Sequence, residues 1–152
     1  MLLKPGNLTD SEFDIMKSHV TQGLQILEQS EWLKDAGEVV GSPHEKLNGD
    51  GYLNGLSGGS IPFTARIFSI ADVFDALCSR RPYKEPFTFE ETMKIIRENT
   101  GNHFDSVLID IFCTIARSLY EDYAGREDDV IKIEVDRIIQ KYFLGNNNII
   151  LD

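Results

Sequence analysis

Positive charge is scarce in this chain: 15 Lys and Arg stand against 25 Asp and Glu, a formal net charge of -10 over 152 residues. Nucleic-acid polymers and anionic membranes bind through basic faces that release counterions or attract headgroups, so neither is an expected partner. A small anion stays open, because a few local Arg, Lys or metal charges reverse the field inside a pocket. Long apolar runs are also missing. None approaches the roughly 18 residues of a membrane span, and no charged start followed by an apolar stretch opens the chain. The expectation is a cytoplasmic protein with no targeting segment. Cysteine is limited to Cys78 and Cys113. In a chain of this size they read as small core residues in a reducing compartment, not as a disulfide framework. No run of Pro, Gly or Ser is long enough to separate one core from another, and the length suffices for one, so a single domain is expected.

What is present is helical punctuation. Thr9-Asp10-Ser11-Glu12 is a capping box, and Phe13, Met16, Val20, Leu24 and Leu27 follow at intervals of three and four. That spacing predicts a helix of about 18 residues with one apolar stripe and His19 at its edge. A shorter helix is predicted from Glu31 to Val40, burying Trp32, Leu33, Ala36, Val39 and Val40 and stopping at Gly41-Ser42-Pro43. Pro62 suits the first turn of a third helix, whose apolar face is Ile67, Ile70, Ala71, Phe74 and Leu77. Thr88 and Glu91 form a second capping box, and Asp105 can cap a fifth helix carried by Leu108, Phe112, Ile115, Ala116 and Leu119. Near the end, Ile131, Val135, Ile138 and Tyr142 favour a helix closed by Gly145, although Ile131, Ile133 and Val135 also alternate as in a strand. Asn146 to Leu151 is read as loose or as packing against a partner.

Between the second and third helices, His44 to Ser60 contains Gly49, Gly51, Gly55, Gly58 and Gly59 with Asn48 and Asn54. Loops of this length inside compact domains are uncommon and usually functional. The three histidines and the inner aspartates are the candidate metal ligands, since neutral imidazole and carboxylate suit Zn, Fe or Mn. His44 opens the loop. Asp72 sits mid-helix among apolar neighbours, where an unpaired carboxylate is costly, and with Asp75 three residues on, one of the two can face inward while the other lies near the rim. Arg66 and Asp75 are read as near enough to pair. His103, before Phe104-Asp105, reads as structural rather than as a ligand.

The loop His44-Glu45-Lys46-Leu47-Asn48-Gly49-Asp50-Gly51-Tyr52-Leu53-Asn54-Gly55-Leu56, with Ile61-Pro62 and Ala65-Arg66-Ile67, resembles the signature of the HD-GYP domains. Lys4-Pro5-Gly6 with Leu8-Thr9, Met16-Lys17-Ser18-His19, Ala71 to Leu77, Arg81-Pro82-Tyr83-Lys84 and His103-Phe104-Asp105 follow in the family's order and approximate spacing. The resemblance covers about residues 1–115, with 116–152 as a helical extension of the same domain. It implies an all-α, HD-domain-like bundle of about five to six helices with a long Gly-rich loop. In that family a two- or three-metal centre hydrolyses cyclic di-GMP, the metals generating hydroxide and clamping the phosphodiester oxygens. By position, the resemblance makes His19, His44 and Asp72 metal ligands, and places Tyr52, Arg81 and Lys84 where the family holds its ligand. No catalytic residue is assigned.

The departures bear on activity. The His-Asp pair that names the family lies upstream of the segment corresponding to Met1, and Pro43 stands where the family usually has the first of two adjacent histidines. Leu53 replaces the proline of the GYP motif, Leu47 the usual tryptophan and Asn48 the usual aspartate. Three protein ligands hold a catalytic zinc in some enzymes, but a bridged pair is hard to build from them. The sequence reading is thus a degenerate HD-GYP-type domain that binds a cyclic dinucleotide, a regulatory protein or a second copy, with an incomplete Fe, Mn or Zn site or none. One alternative is an active phosphodiesterase whose His-Asp pair lies upstream of Met1. Another is a dimerising module built on Tyr123 to Phe143.

Overall fold

The computed structural model describes residues 8–80, 85–124 and 129–141. Of the expectations above, those on Lys4 to Gly6, Arg81, Pro82, Tyr83, Lys84, the side chain of Trp32 and everything from Tyr142 onward lie outside the described residues.

Six α-helices and no strands make up the described residues, so the fold is all-α, consistent with an HD-domain bundle. Helix α1 spans Asp10–Glu28. Its capping box forms as expected: the Thr9 hydroxyl accepts from the Glu12 N–H at 3.3 Å, and the Glu12 carboxylate accepts from the Thr9 N–H at 2.8 Å. The second segment is not one helix. A 3₁₀ turn over Glu31–Ala36 leads into a single α turn, α2, over Gly37–Gly41. Neither piece has a side-chain cap, so nothing local enforces one continuous helix, and the change of pitch redirects the chain toward the loop. Helix α3 runs Phe63–Cys78, with Pro62 as its N-cap rather than its first turn. Thr88 and Glu91 cap α4, Phe89–Glu98, and Asp105 caps α5, Ser106–Tyr123, through its carboxylate on the Val107 N–H. The tail forms helix α6, Asp129–Ile139.

The core lies where α3, α4 and α5 meet. Ile70, Phe74 and Cys78 pack against Met93 and Ile96, and against Phe104, Leu108, Ile109 and Ala116. Phe104 and Ile96 are almost wholly enclosed, and burial of such side chains contributes roughly 1.5–3 kcal/mol each. Cys78 is buried, which raises its thiol pKa, and Cys113 is half-buried. Helices α1 and α2 pack on each other and, through α2, on α3, where the Thr64 hydroxyl donates to Glu38 at 3.0 Å. That junction is thinner. Of the α1 stripe only Val20 is buried, and Phe13 remains 43% exposed. Ile67 and Ala71, expected inside α3, are exposed, and so are Ile133, Val135 and Ile138 of α6. No helix among the described residues is long and apolar enough to cross a membrane.

Candidate active-site cleft

The Gly-rich loop is pinned at both ends. At its start, the Glu45 side chain is 2% exposed, and its two carboxylate oxygens accept from the Asn54 N–H at 2.7 Å and the Leu56 N–H at 2.9 Å. An anionic acceptor for two N–H groups is the strong form of such a bond. At its outer edge, Leu47 and Asn48 donate their N–H groups to the carbonyls of His103 and Asn102. Gly51 packs so closely on the Glu45–Lys46 backbone that a β-carbon there would sit 2.4 Å from the Lys46 nitrogen. Gly49 has φ of 88°, which a residue with a β-carbon rarely adopts. The loop therefore folds back on itself, and Tyr52 pairs with His44 through its N–H on the His44 carbonyl.

This folding brings His44 opposite α1. The Nε2 atoms of His19 and His44 are 3.1 Å apart, while His19 Nδ1 is 2.6 Å from the Met16 carbonyl. A carbonyl only accepts, so His19 Nδ1 donates to Met16, and in a neutral ring Nε2 then presents its lone pair to His44. Asp72 comes from the middle of α3 and lines the same cleft with Val20, Pro43 and Phe68, enclosing about 370 Å³. A smaller lobe of about 120 Å³ shares Pro43, His44 and Asp72 and is completed by Lys46, Tyr52, Ser69, Val73 and His103. Phe13 stands edge-on to Tyr52, which in turn lies against His44, forming one aromatic wall.

The electrostatics favour neutral rings. Burial holds the His44 imidazole below its ordinary value, with Asp72 pulling it up and His19 pushing it down. Burial, reinforced by Lys46 and His44, lowers His103 to about 4 against the opposing effect of Asp72. Burial and Asp72 raise the Tyr52 phenol, keeping it protonated. Neutral imidazoles are the form that binds metal.

His19, His44, Asp72 and Tyr52 thus meet in one cleft, whereas Arg81 and Lys84 fall outside the described residues. Two metal-bound nitrogens at ordinary Zn–N lengths stand about 3.2 Å apart near tetrahedral angles, so the His19–His44 pair suits one ion. Among the described residues, no three His, Cys, Asp or Glu side chains gather closely enough to hold a metal. The residues present fit a two-nitrogen grip and do not make a complete metal site.

Two features carry no signal in periodicity or motif. Glu45, an acid inside a glycine-rich turn, is the acceptor for that turn's own N–H groups. Arg66 does not pair with Asp75, nine residues along α3. Its guanidinium meets Asp105 at 2.7 Å, linking α3 to the cap of α5, while Asp75 accepts from Ser79.

The HD domain family matches residues 1–108. A probable cyclic di-GMP phosphodiesterase of Vibrio cholerae is 39% identical over 146 residues, covering 89% of this chain and 33% of that protein. A cyclic di-GMP phosphodiesterase of Thermotoga maritima is 37% identical over 131 residues, covering 85% of this chain and 36% of that one. A 3'3'-cGAMP-specific phosphodiesterase of Vibrio cholerae is 42% identical over 113 residues, covering 73% of this chain and 22% of its own length. The chain spans about a third or less of the length of these relatives. HD-domain phosphodiesterases are generally metal-dependent. With the family match over residues 1–108, the chain belongs to the HD domain family.

Proposed function

We propose that this chain is a degenerate HD-GYP-type domain of cyclic dinucleotide signalling that works by binding a ligand or a protein partner and not by turnover. The observation that carries this reading is Pro43, which lines both lobes of the cleft beside His44 and has no side-chain donor for a metal. Among the described residues, only His19, His44 and Asp72 face the larger lobe as metal-ligand types, which supports at most one weakly held Fe, Mn or Zn ion. A bridged pair needs more donors. The cleft itself is formed, with an aromatic wall and a loop held by the Glu45 carboxylate, and that favours retained binding. Calorimetric titration with cyclic di-GMP, with and without Mn or Fe, tests the reading. Saturable binding without metal supports it, and binding that appears only with two metal equivalents contradicts it.

A second reading is favoured by the share of the relatives that this chain spans. On that reading the chain is the later portion of an active phosphodiesterase, and residues preceding Met1 in a longer protein complete the metal centre. The DNA upstream of Met1 discriminates: an in-frame His-Asp pair supports it, and an in-frame stop codon removes it.

A further inference from the structure

Another cavity lies apart from the cleft, between α3 and α5. It encloses about 370 Å³, shares no lining residue with the cleft, and every side chain that lines it is apolar. Phe63 and Ile67 of α3 and Ile111 and Ile115 of α5 form its open rim; all four are exposed, Phe63 by 57% and Ile111 by 60%. Val107 extends the same stripe of α5 and is also exposed. Apolar patches left in water to this extent mark interaction surfaces. The chain also carries a counterpart. On α6, Ile131, Val135, Ile138 and Ile139 share one face at the helical period; the last three are exposed, and none of the four lines the cavity. We propose that α6 of each copy docks this face into the α3–α5 groove of a second copy, closing a twofold dimer. The proposal stands apart from the functional reading above.

Length and area both match a second copy. The groove follows α5 from Leu108 to Leu119, about 16 Å at the helical rise, and the 11 residues of α6 span the same distance. The groove rim and the α6 face together leave on the order of 800 Å² of each copy to bury, the share that one partner contributes to a stable protein–protein interface. Symmetry supplies the rest. In a twofold arrangement the groove-to-helix contact forms twice, so one groove and one helix per chain close on each other with neither left in water. A charged peptide gains nothing in this groove, whose wall offers no ionic group and whose apolar surface would strip the charges of water. On α6, by contrast, Glu134 and Arg137 are already paired with each other outside the apolar face.

Sedimentation velocity of the whole chain over a concentration series tests this. Wild type is expected to dimerise at micromolar concentration. Ile111→Glu puts a charge on the groove and Ile138→Glu puts one on α6; both positions are exposed, and thermal melts check that each variant folds. Each should weaken dimerisation about thirtyfold or more. An equimolar mixture of the two pairs one unaltered groove with one unaltered helix, so it should associate more tightly than either variant alone. A wild type that stays monomeric throughout, a dimer that Ile138→Glu leaves untouched, or a mixture no tighter than its components overturns the proposal.

Discussion

His19 and His44 face each other through their Nε2 atoms at 3.1 Å, joined across 25 residues from α1 and from the first position of the Gly-rich loop. With His19 Nδ1 donating to Met16, Nε2 is the nitrogen left to face His44. Either one ring's Nε2–H donates to the other's bare Nε2, or both nitrogens are bare and a cation is held by both. Both keep α1 attached to the loop, and this matters because α1 otherwise buries only Val20.

If a cation is the bridge, purified chain takes up no more than one equivalent of Mn, Fe or Zn, and His44→Ala reduces uptake to background. Metal analysis by mass spectrometry after dialysis checks this. Two tightly held ions per chain, or full uptake by His44→Ala, would show that other donors form the site.

Glu45→Ala removes the acceptor for the Asn54 and Leu56 N–H groups and leaves both without a partner in a half-buried loop. A destabilisation of about 2–4 kcal/mol follows from two lost charge-assisted bonds and the orphaned donors. Glu45→Gln, which keeps the shape and one acceptor oxygen, loses less. Urea denaturation at neutral pH measures both, and equal stability of all three proteins would mean that the loop is held by other contacts.

Glycines of the loop separate by location. Gly51→Ala forces a β-carbon into the Glu45–Lys46 backbone, which cannot yield as a flexible side chain would. Its cost is about 1–3 kcal/mol or more. Gly59→Ala meets no atom within 4 Å and has no positive φ, so its stability stays within about 0.5 kcal/mol of wild type. Comparative thermal melts decide the matter, and like behaviour of the two variants would mean that the turn at Gly51 yields freely.

Asp105 divides its carboxylate: one oxygen accepts from Val107 N–H as the α5 cap, and the other meets Arg66 at 2.7 Å with both side chains mostly enclosed. Asp105→Asn keeps a cap and removes the charge pair, costing about 1–2 kcal/mol. Asp105→Ala also loses the cap, adding about 1 kcal/mol. Because Arg66 Nε is already buried without a partner, Asp105→Ala leaves the guanidinium poorly satisfied, and Arg66→Met in the same chain should recover some of the loss. A double-mutant cycle gives the coupling, and a value near zero would contradict the pairing.

The pH dependence of stability turns on His103, whose value falls from 6.5 to about 4 on folding, chiefly through burial. As pH drops, the unfolded chain binds the proton first, so the stability held by the neutral ring is fully present above about 6.5 and drains away between 6.5 and 4. His103→Asn removes this contribution. Its stability should decline less steeply than wild type through that window, as read from denaturation at stepped pH. A wild-type curve that parallels the variant would show that His103 titrates normally.

Local signals in the sequence proved the most legible. Thr9 with Glu12 and Thr88 with Glu91 specify helix starts within four residues, so the signal is complete in the local sequence. His19, His44 and Asp72 line one cleft, brought there by α1, the Gly-rich loop and α3, and only α1 of these carries a local capping signal. The Arg66–Asp105 bridge joins residues 39 apart, and the bonds from Leu47 and Asn48 to the turn before α5 cross over 50 positions; no periodicity encodes either. The Glu31 to Val40 segment misled because its apolar spacing suits a 3₁₀ turn followed by an α turn as well as it suits one helix. The exposure of Phe13, Ile67 and Ile133 was equally illegible, since an apolar stripe shows which face would be buried, not whether anything covers it.

Retained binding of a cyclic dinucleotide without its cleavage is the property on which the proposed role of this cleft depends. Chain loaded with excess Mn or Fe is incubated with cyclic di-GMP and the products are separated by chromatography. Intact cyclic di-GMP recovered with the protein after prolonged incubation is the expected result. Steady appearance of the linear dinucleotide or GMP, lost in His44→Ala, would refute it.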